Sequence, residues 1–126
     1  DMGDAALGTV TSFHYSASHD SPMNMQFVAA FKRANNGARP NFMAVGGYDG
    51  MHVIYKALDV TNGKGRGEAL VNAMKGLSFE SPRGPVTIDA QTRDIVQNIY
   101  IRRVERIDGQ LWNTEVDVIR AVKDGK

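Results

Sequence analysis

A turn-rich corner at residues 80–100 constrains the fold of this chain more than any other stretch. Its sequence is ESPRGPVTIDAQTRDIVQNIY. Pro82 and Pro85 cannot continue a helix, because proline has a locked φ angle and no N–H to donate. The backbone therefore has to run extended into a very short strand at residues 86–88, which Asp89 ends. The sequence therefore predicts that helical structure before this corner changes to extended structure after it.

Three helices are predicted before the corner. Ser21 followed by Pro22 starts the first, because the serine hydroxyl accepts a free backbone N–H and proline has none to lose. The second spans residues 41–61 and is apolar around much of its circumference, which is typical of a buried helix. Three glycines lie inside this second helix: Gly46, Gly47 and Gly50. They indicate close approach by a neighbouring backbone. The third helix is short, at residues 68–75.

Extended structure is predicted at both ends of the chain. Residues 5–15 carry β-branched and aromatic side chains at alternating positions, which is typical of one strand. Residues 98–107 and 111–119 form two further strands around Asp108-Gly109, a strong hairpin signal because glycine adopts the positive φ of a tight turn freely. The fold class is α/β, but one strand, three helices and a hairpin do not complete a parallel sheet. The second helix therefore needs a sheet from another chain or from missing upstream sequence.

Composition excludes several classes of function. The 15 Lys and Arg residues nearly balance the 14 Asp and Glu residues, so we expect no nucleic-acid partner. Arg102, Arg103 and Arg106 stand among acidic residues and are interpreted as a solvated strand face. With no cysteine and three scattered histidines, neither a metal nor a cofactor is expected. The sequence contains no run of about 18 apolar residues, so no membrane span is predicted. The first eight residues lack the basic and apolar segments of a signal peptide.

Four sequence motifs occur here in a familiar order. They are F-x-x-A-F-K at residues 27–32, G-Y-D-G-M at 47–51, S-P-R-G-P-V-T-I-D at 81–89, and a hairpin turning at Asp-Gly. This succession resembles the last third of the type I periplasmic binding proteins, and in particular the branched-chain amino acid receptors of ABC transporters. The resemblance covers essentially the whole chain. The run T-R-D-x-x-Q-x-x-Y at residues 92–100 makes the chain more similar to those family members that bind aromatic carboxylates.

The resemblance implies two α/β lobes joined by three crossing segments, with ligand held between the lobes. This chain would supply part of that fold: an edge strand of the second lobe at residues 1–15, a helical first-lobe segment at 16–80, and the last crossing with a second-lobe hairpin at 81–126. The implied function is the substrate-binding component of an ABC importer in the periplasm. Its implied partners are a small carboxylate, either a branched-chain amino acid or an aromatic acid, and a membrane permease.

Eight residues are candidates for sites in such a receptor. The ligand-contact candidates are His14, Tyr15, Tyr48 and Asp49, and the hinge candidates are Ser16, Glu80, Arg83 and Gly84. An imidazole and a phenol on the first crossing can donate to a carboxylate, although a polar loop with a packed tyrosine gives the same pattern. Tyr48 is equally typical of a core side chain, and Asp49 of a hinge contact. Arg83 can bind a ligand carboxylate or an acid across the hinge, and Glu80 is the acid nearest to it in sequence.

Two other classes of protein stay open at this point. One is a small interaction domain that forms an intertwined dimer without ligand. The other is an enzyme with His14 or Asp49 as a general base, although no catalytic residue set has recognisable local context. As a separate chain, this protein is expected to bind ligand poorly and to self-associate over its second helix.

Overall fold

The computed structural model describes residues 2–125, so the outermost residues of the predicted segments, Asp1 and Lys126, lie outside the described residues. A short 3₁₀ turn at Gly3–Ala6 precedes the first strand. The helices are α1 (Pro22–Ala34), α2 (Phe42–Val60) and α3 (Glu68–Met74). The strands are β1 (Val10–Phe13), β2 (Ser78–Ser81), β3 (Gly84–Ile88), β4 (Ile95–Ile107) and β5 (Gln110–Val122). No helix in this described range is both long enough and apolar enough to cross a membrane.

The long strand β4 organises a sheet in which every described pairing is antiparallel. Along one edge, β4 pairs with β3 through residues 95–97 and with β1 through residues 100–103. Along its other edge it pairs with β5, and β2 pairs with the far side of β3. A single strand therefore runs from the small β2–β3 hairpin to β1, and it connects the two ends of the sheet.

The start of α1 confirms the Ser21-Pro22 signal in the sequence, and α2 begins within the predicted range. The Ser21 hydroxyl accepts the N–H of Asn24 at 3.1 Å, with Pro22 as the first helical residue. The Asn41 side chain accepts two N–H groups at the start of α2, which then runs unbroken to Val60. Both caps satisfy N–H groups that have no partner inside the helix.

The surroundings of α2 differ from the prediction. A Cβ atom built at Gly46, Gly47 or Gly50 would meet nothing within 4 Å, so the expected close packing at these glycines is wrong for the described residues. Burial of the helix is also incomplete. Val45 and Ala57 are fully buried, whereas Met43 is 69% exposed and Tyr55 58%. The physical reason is that no described element faces this side of α2, so its apolar residues meet solvent.

The corner is a hairpin rather than a simple extended passage. Strand β2, which is absent from the prediction, pairs with β3 across a two-residue turn of Pro82 and Arg83. Gly84 closes this turn with a φ of +95°, a conformation that glycine adopts without steric cost. The predicted first strand is shorter than expected, because its first residues belong to the 3₁₀ turn. The turn at Asp108-Gly109 is confirmed, with positive φ at both residues.

Candidate functional site

A cavity of about 420 Å³ lies between three parts of the chain: the segment after β1, the loop between α1 and α2, and the β4–β5 hairpin. Its walls carry four aromatic rings and two guanidinium groups. These belong to Phe13, Tyr15, Arg39, Phe42, Arg102 and Trp112. Ligand sites in proteins have volumes of about 300–1,000 Å³ and combine apolar walls with a few polar groups. The cavity therefore has the size and chemistry to hold a flat, negatively charged organic molecule.

Arg102 supplies the most deeply placed positive charge of this cavity. Its Nη1 donates to the Tyr15 carbonyl at 2.7 Å, its Nη2 donates to Thr11 Oγ1 at 3.1 Å, and its Cζ lies 5.1 Å from the centre of the Phe13 ring. Its Nε is buried without a hydrogen-bond partner among the residues that the structure describes. Burial lowers the pKa of Arg102, and the charge of Glu115 opposes that shift. Within residues 2–125, no carboxylate forms an ion pair with this guanidinium.

The expectation of a solvated arginine face is therefore wrong for Arg102. It holds for Arg103 and Arg106, whose side chains are 50% and 41% exposed. The alternation of side chains along β4 could have indicated that Arg102 is covered, because Arg102 shares a face with the buried Tyr100 and the half-buried Val104. The physical reason for the error is that β1 and the segment after it cover this face of the sheet.

His14 lies beside the same cavity in a positive environment. Its ring stacks on Phe13 at 4.4 Å between centroids, and the Phe42 ring lies 6.2 Å away at a near-perpendicular angle. Burial lowers the pKa of His14, and the charges of Arg83 and Arg102 lower it further, while Asp49 opposes them. The imidazole is therefore neutral at pH 7, and an anion bound close to it would be stabilised by two nearby cations.

Tyr15 and Ser16 are both buried at the start of the segment that follows β1. The Tyr15 hydroxyl donates to Asn24 Oδ1 at 3.0 Å, so the tyrosine offers its ring to the cavity while its hydroxyl is already paired. Burial raises the pKa of this phenol well above its usual value of 10.0. The Ser16 hydroxyl donates to the Asn113 carbonyl at 2.6 Å. These bonds attach the segment to α1 on one side and to β5 on the other.

Asp49 and Arg83 form a buried ion pair next to this site. Arg83 Nε donates to Asp49 Oδ2 at 2.7 Å, and both side chains are less than a tenth exposed. Arg83 also donates to the Gln97 side chain, and its carbonyl accepts the Tyr100 hydroxyl at 2.7 Å. Glu80, the acid nearest to Arg83 in sequence, is not its partner, because Glu80 lies exposed on β2 opposite Pro85. The pair joins α2 to the β2–β3 turn.

Tyr48 lies away from this cavity, between α1 and α2. Its ring packs edge-on against Phe27 at 5.2 Å and stacks on His52, and its hydroxyl points to Met23 Sδ at 3.7 Å. No described contact joins Tyr48 to His14 or Tyr15. The structure therefore places Tyr15 in the wall of the cavity and His14 against two of its lining rings, Phe13 and Phe42. It places Asp49 in the ion pair with Arg83 and Tyr48 in a helix–helix contact. In the described range, no group of three His, Asp or Glu residues is placed to hold a metal ion.

Comparisons with known proteins agree with this architecture. A sequence model of the family described as "Periplasmic binding protein" matches residues 2–110. The chain is 47% identical over 125 residues to Leu/Ile/Val-binding protein homolog 6 of Brucella abortus strain 2308, covering 98% of this chain and 32% of that protein. The chain belongs to the periplasmic binding protein family.

Two solved structures of ABC-transporter solute-binding proteins are also similar. One, from Rhodopseudomonas palustris BisB5 in complex with 3,4-dihydroxybenzoic acid, is 59% identical with a TM-score of 0.95, covering 99% of this chain and 34% of that one. The other, from R. palustris HaA2 in complex with p-hydroxybenzoic acid, is 41% identical with a TM-score of 0.89, covering 98% of this chain and 34% of that one. The chain thus spans about a third of the length of these relatives, and its fold is a partial periplasmic-binding-protein fold, as the sequence motifs predict.

Proposed function

We propose that this chain forms part of the solute receptor of an ABC importer, and that the intact receptor binds a hydroxylated benzoate in the cavity between the β4–β5 hairpin and the α1–α2 loop. The observation that carries the proposal is the half-buried guanidinium of Arg102, which lines the cavity, lies against the Phe13 ring and has no ion-pair partner in the described chain. A charge that is partly removed from water is costly unless an opposite charge compensates it. A ligand carboxylate would supply that charge.

Each wall of the cavity has a role in this proposal. Arg102 binds the carboxylate, because its planar fork of donors matches two carboxylate oxygens. His14, whose neutral ring stacks on the lining residue Phe13, would donate a further hydrogen bond to the same group. The rings of Phe13 and Phe42, whose centroids are 5.3 Å apart, form the apolar wall for the ligand ring. The two R. palustris proteins, at 59% and 41% identity, support this ligand class because both were crystallised with hydroxybenzoates.

The predicted lobes and hinges belong to the same proposal. Residues 16–80 would lie in the first lobe and residues 1–15 with the hairpin in the second, so the cavity would lie between lobes that close around ligand. The buried Arg83–Asp49 pair would hold the helical segment to the β2–β3 turn while the lobes move. Closed receptors would then be recognised by a membrane permease in the periplasm. No covalent step is part of this function.

Calorimetric titration of the intact receptor tests the ligand class. We expect 3,4-dihydroxybenzoate and 4-hydroxybenzoate to bind at one site, with leucine and the neutral 4-hydroxybenzamide binding far more weakly. Arg102→Gln should weaken benzoate binding by at least about 30-fold, because it removes the cationic partner of the carboxylate. It should also abolish the preference for the acid over the amide. Arg103→Gln is the matched control, since Arg103 is the next residue and half-exposed.

Two outcomes would contradict the proposal. Tight leucine binding with no response to benzoates would assign the receptor to amino acids instead. An unchanged acid-to-amide preference in Arg102→Gln would show that the carboxylate binds elsewhere. A thermal melt of each variant separates loss of ligand contact from loss of folding.

A second behaviour is favoured by the exposed apolar side of α2. We propose that the 126-residue chain by itself associates with a second copy over this surface, where Met43, Met51 and Tyr55 are exposed. Apolar patches of this kind mark interaction sites. Light scattering at several concentrations tests this, and a stable monomer with a cooperative melt would contradict it. A tight dimer with no heat on titration with any acid would favour the ligand-free dimer instead of the receptor.

A further inference from the structure

The outer edge of β5 is held by side chains from two other parts of the chain. The Leu111 carbonyl accepts Arg39 Nη1 at 2.9 Å. The Asn113 carbonyl accepts the hydroxyls of Ser16 and Ser18, each at 2.6 Å. An edge strand leaves carbonyl groups without a partner strand, and side-chain donors satisfy them. The edge of the hairpin is therefore attached to the first predicted crossing and to the α1–α2 loop.

Arg39 makes two contacts with the hairpin at once. Besides its bond to Leu111, its guanidinium carbon lies 4.2 Å from the centre of the Trp112 ring, which is the stacked geometry of a cation–π contact. Lys32 of α1 lies above the same ring at 5.9 Å. Because Arg39 comes from the loop between two helices and Trp112 from β5, the contact bridges the helical segment and the hairpin beside the cavity. One face and one N–H of the guanidinium are occupied by the protein itself.

We infer that Arg39 is a positioning residue, which holds the cavity in its binding geometry by joining the α1–α2 loop to Leu111 and Trp112 rather than by touching ligand. The inference rests on the proposed function, because it concerns the affinity of the same cavity. The contact forms only when the loop and the hairpin are as close as in this structure. Apparent affinity scales with the fraction of molecules in the binding-competent state. Arg39 therefore strengthens the binding of every ligand of the cavity by the same factor.

The expected effect follows from the two contacts. An exposed cation–π contact and a partly solvated hydrogen bond from a charged donor together stabilise the binding geometry of the cavity enough to change apparent affinity by about five- to tenfold. In the intact receptor, Arg39→Ala should weaken the binding of 4-hydroxybenzoate and of 4-hydroxybenzamide by this same factor. Stopped-flow experiments should show the loss mostly as faster dissociation. Arg66→Ala is the matched control, because Arg66 is an exposed arginine outside the cavity and away from the hairpin.

Two binding results would overturn the inference. If Arg39→Ala weakens binding of 4-hydroxybenzoate much more than binding of 4-hydroxybenzamide, Arg39 is a direct partner of the carboxylate. If neither ligand is affected, the contact has no part in positioning. A uniform loss in Arg39→Ala, with none in Arg66→Ala, supports the inference.

A measurement without ligand separates this inference from the proposed function. With 5-fluorotryptophan incorporated, the ¹⁹F resonance of Trp112 is assigned by its absence in Trp112→Phe. Arg39→Ala should move this resonance and increase its solvent isotope shift, because the indole loses its cover, and Arg66→Ala should leave it in place. If Arg39→Ala moves the resonance but the receptor binds no benzoate, the proposed function is refuted and the bridging contact is supported. An unmoved resonance would refute the contact itself.

Discussion

Breaking the buried pair of Arg83 and Asp49 should destabilise the protein more than any other single change of charge in the described chain. Their side chains are 8% and 5% exposed, and the N–O distance is 2.7 Å. Removing one partner leaves the other as an uncompensated charge inside the protein, which costs about 3–5 kcal/mol. Arg83→Met also removes a hydrogen bond to the Gln97 side chain. We therefore expect Arg83→Met and Asp49→Leu each to lower the free energy of unfolding by about 3–5 kcal/mol.

The double variant makes this reasoning quantitative. Arg83→Met with Asp49→Leu removes both charges and replaces them with apolar groups, so it should cost clearly less than the sum of the single changes. Residues in direct contact couple by about 0.5–3 kcal/mol in such cycles, and a buried pair belongs at the upper end. Urea denaturation followed by circular dichroism measures all three free energies.

Glu80→Gln is the matched control for this cycle. Glu80 is the acid nearest to Arg83 in the local sequence but is exposed, so its loss should change stability by less than about 0.5 kcal/mol. Strictly additive single changes, or a cost for Glu80→Gln equal to that for Asp49→Leu, would refute the reasoning.

Three shorter predictions concern single positions. Gly84→Ala should lower the free energy of unfolding by about 2–4 kcal/mol, because a Cβ would lie 2.5 Å from the Tyr100 hydroxyl at a φ of +95°. Gly37→Ala, at a position with positive φ and open space, should lower it by only about 1 kcal/mol. Equal losses for the two variants in urea denaturation would contradict this prediction. Because the pKa of His14 is lowered on folding from 6.5, acidification below that pH should favour the unfolded chain, which binds the proton more readily. His14→Gln should flatten this loss of stability between pH 7 and 5, and an unchanged slope would count against the burial of a neutral imidazole. Ser21→Ala should cost about 1 kcal/mol in thermal melts through loss of the α1 cap, and a neutral effect would contradict the cap.

The candidate site was partly readable from the sequence. His14 and Tyr15 were chosen as candidates from their residue types; Tyr15 lines the cavity, and His14 contacts the lining residue Phe42. Arg102 was missed, because a sequence does not reveal which face of a strand another element covers. Arg39 and Trp112 were missed for a similar reason, since 73 positions separate two residues that only the assembled fold brings together.

The sequence by itself determined what depends on neighbouring residues. Ser21-Pro22 starts α1, Asn41 starts α2 and Asp108-Gly109 turns the hairpin, because caps and tight turns are satisfied within a few positions. Only the tertiary structure decided what depends on distant partners. It paired Arg83 with Asp49 instead of Glu80, placed Arg102 under β1, and left one side of α2 uncovered. Long-range partners are selected by burial and by the path of the whole chain, and neither is encoded in the spacing of nearby residues.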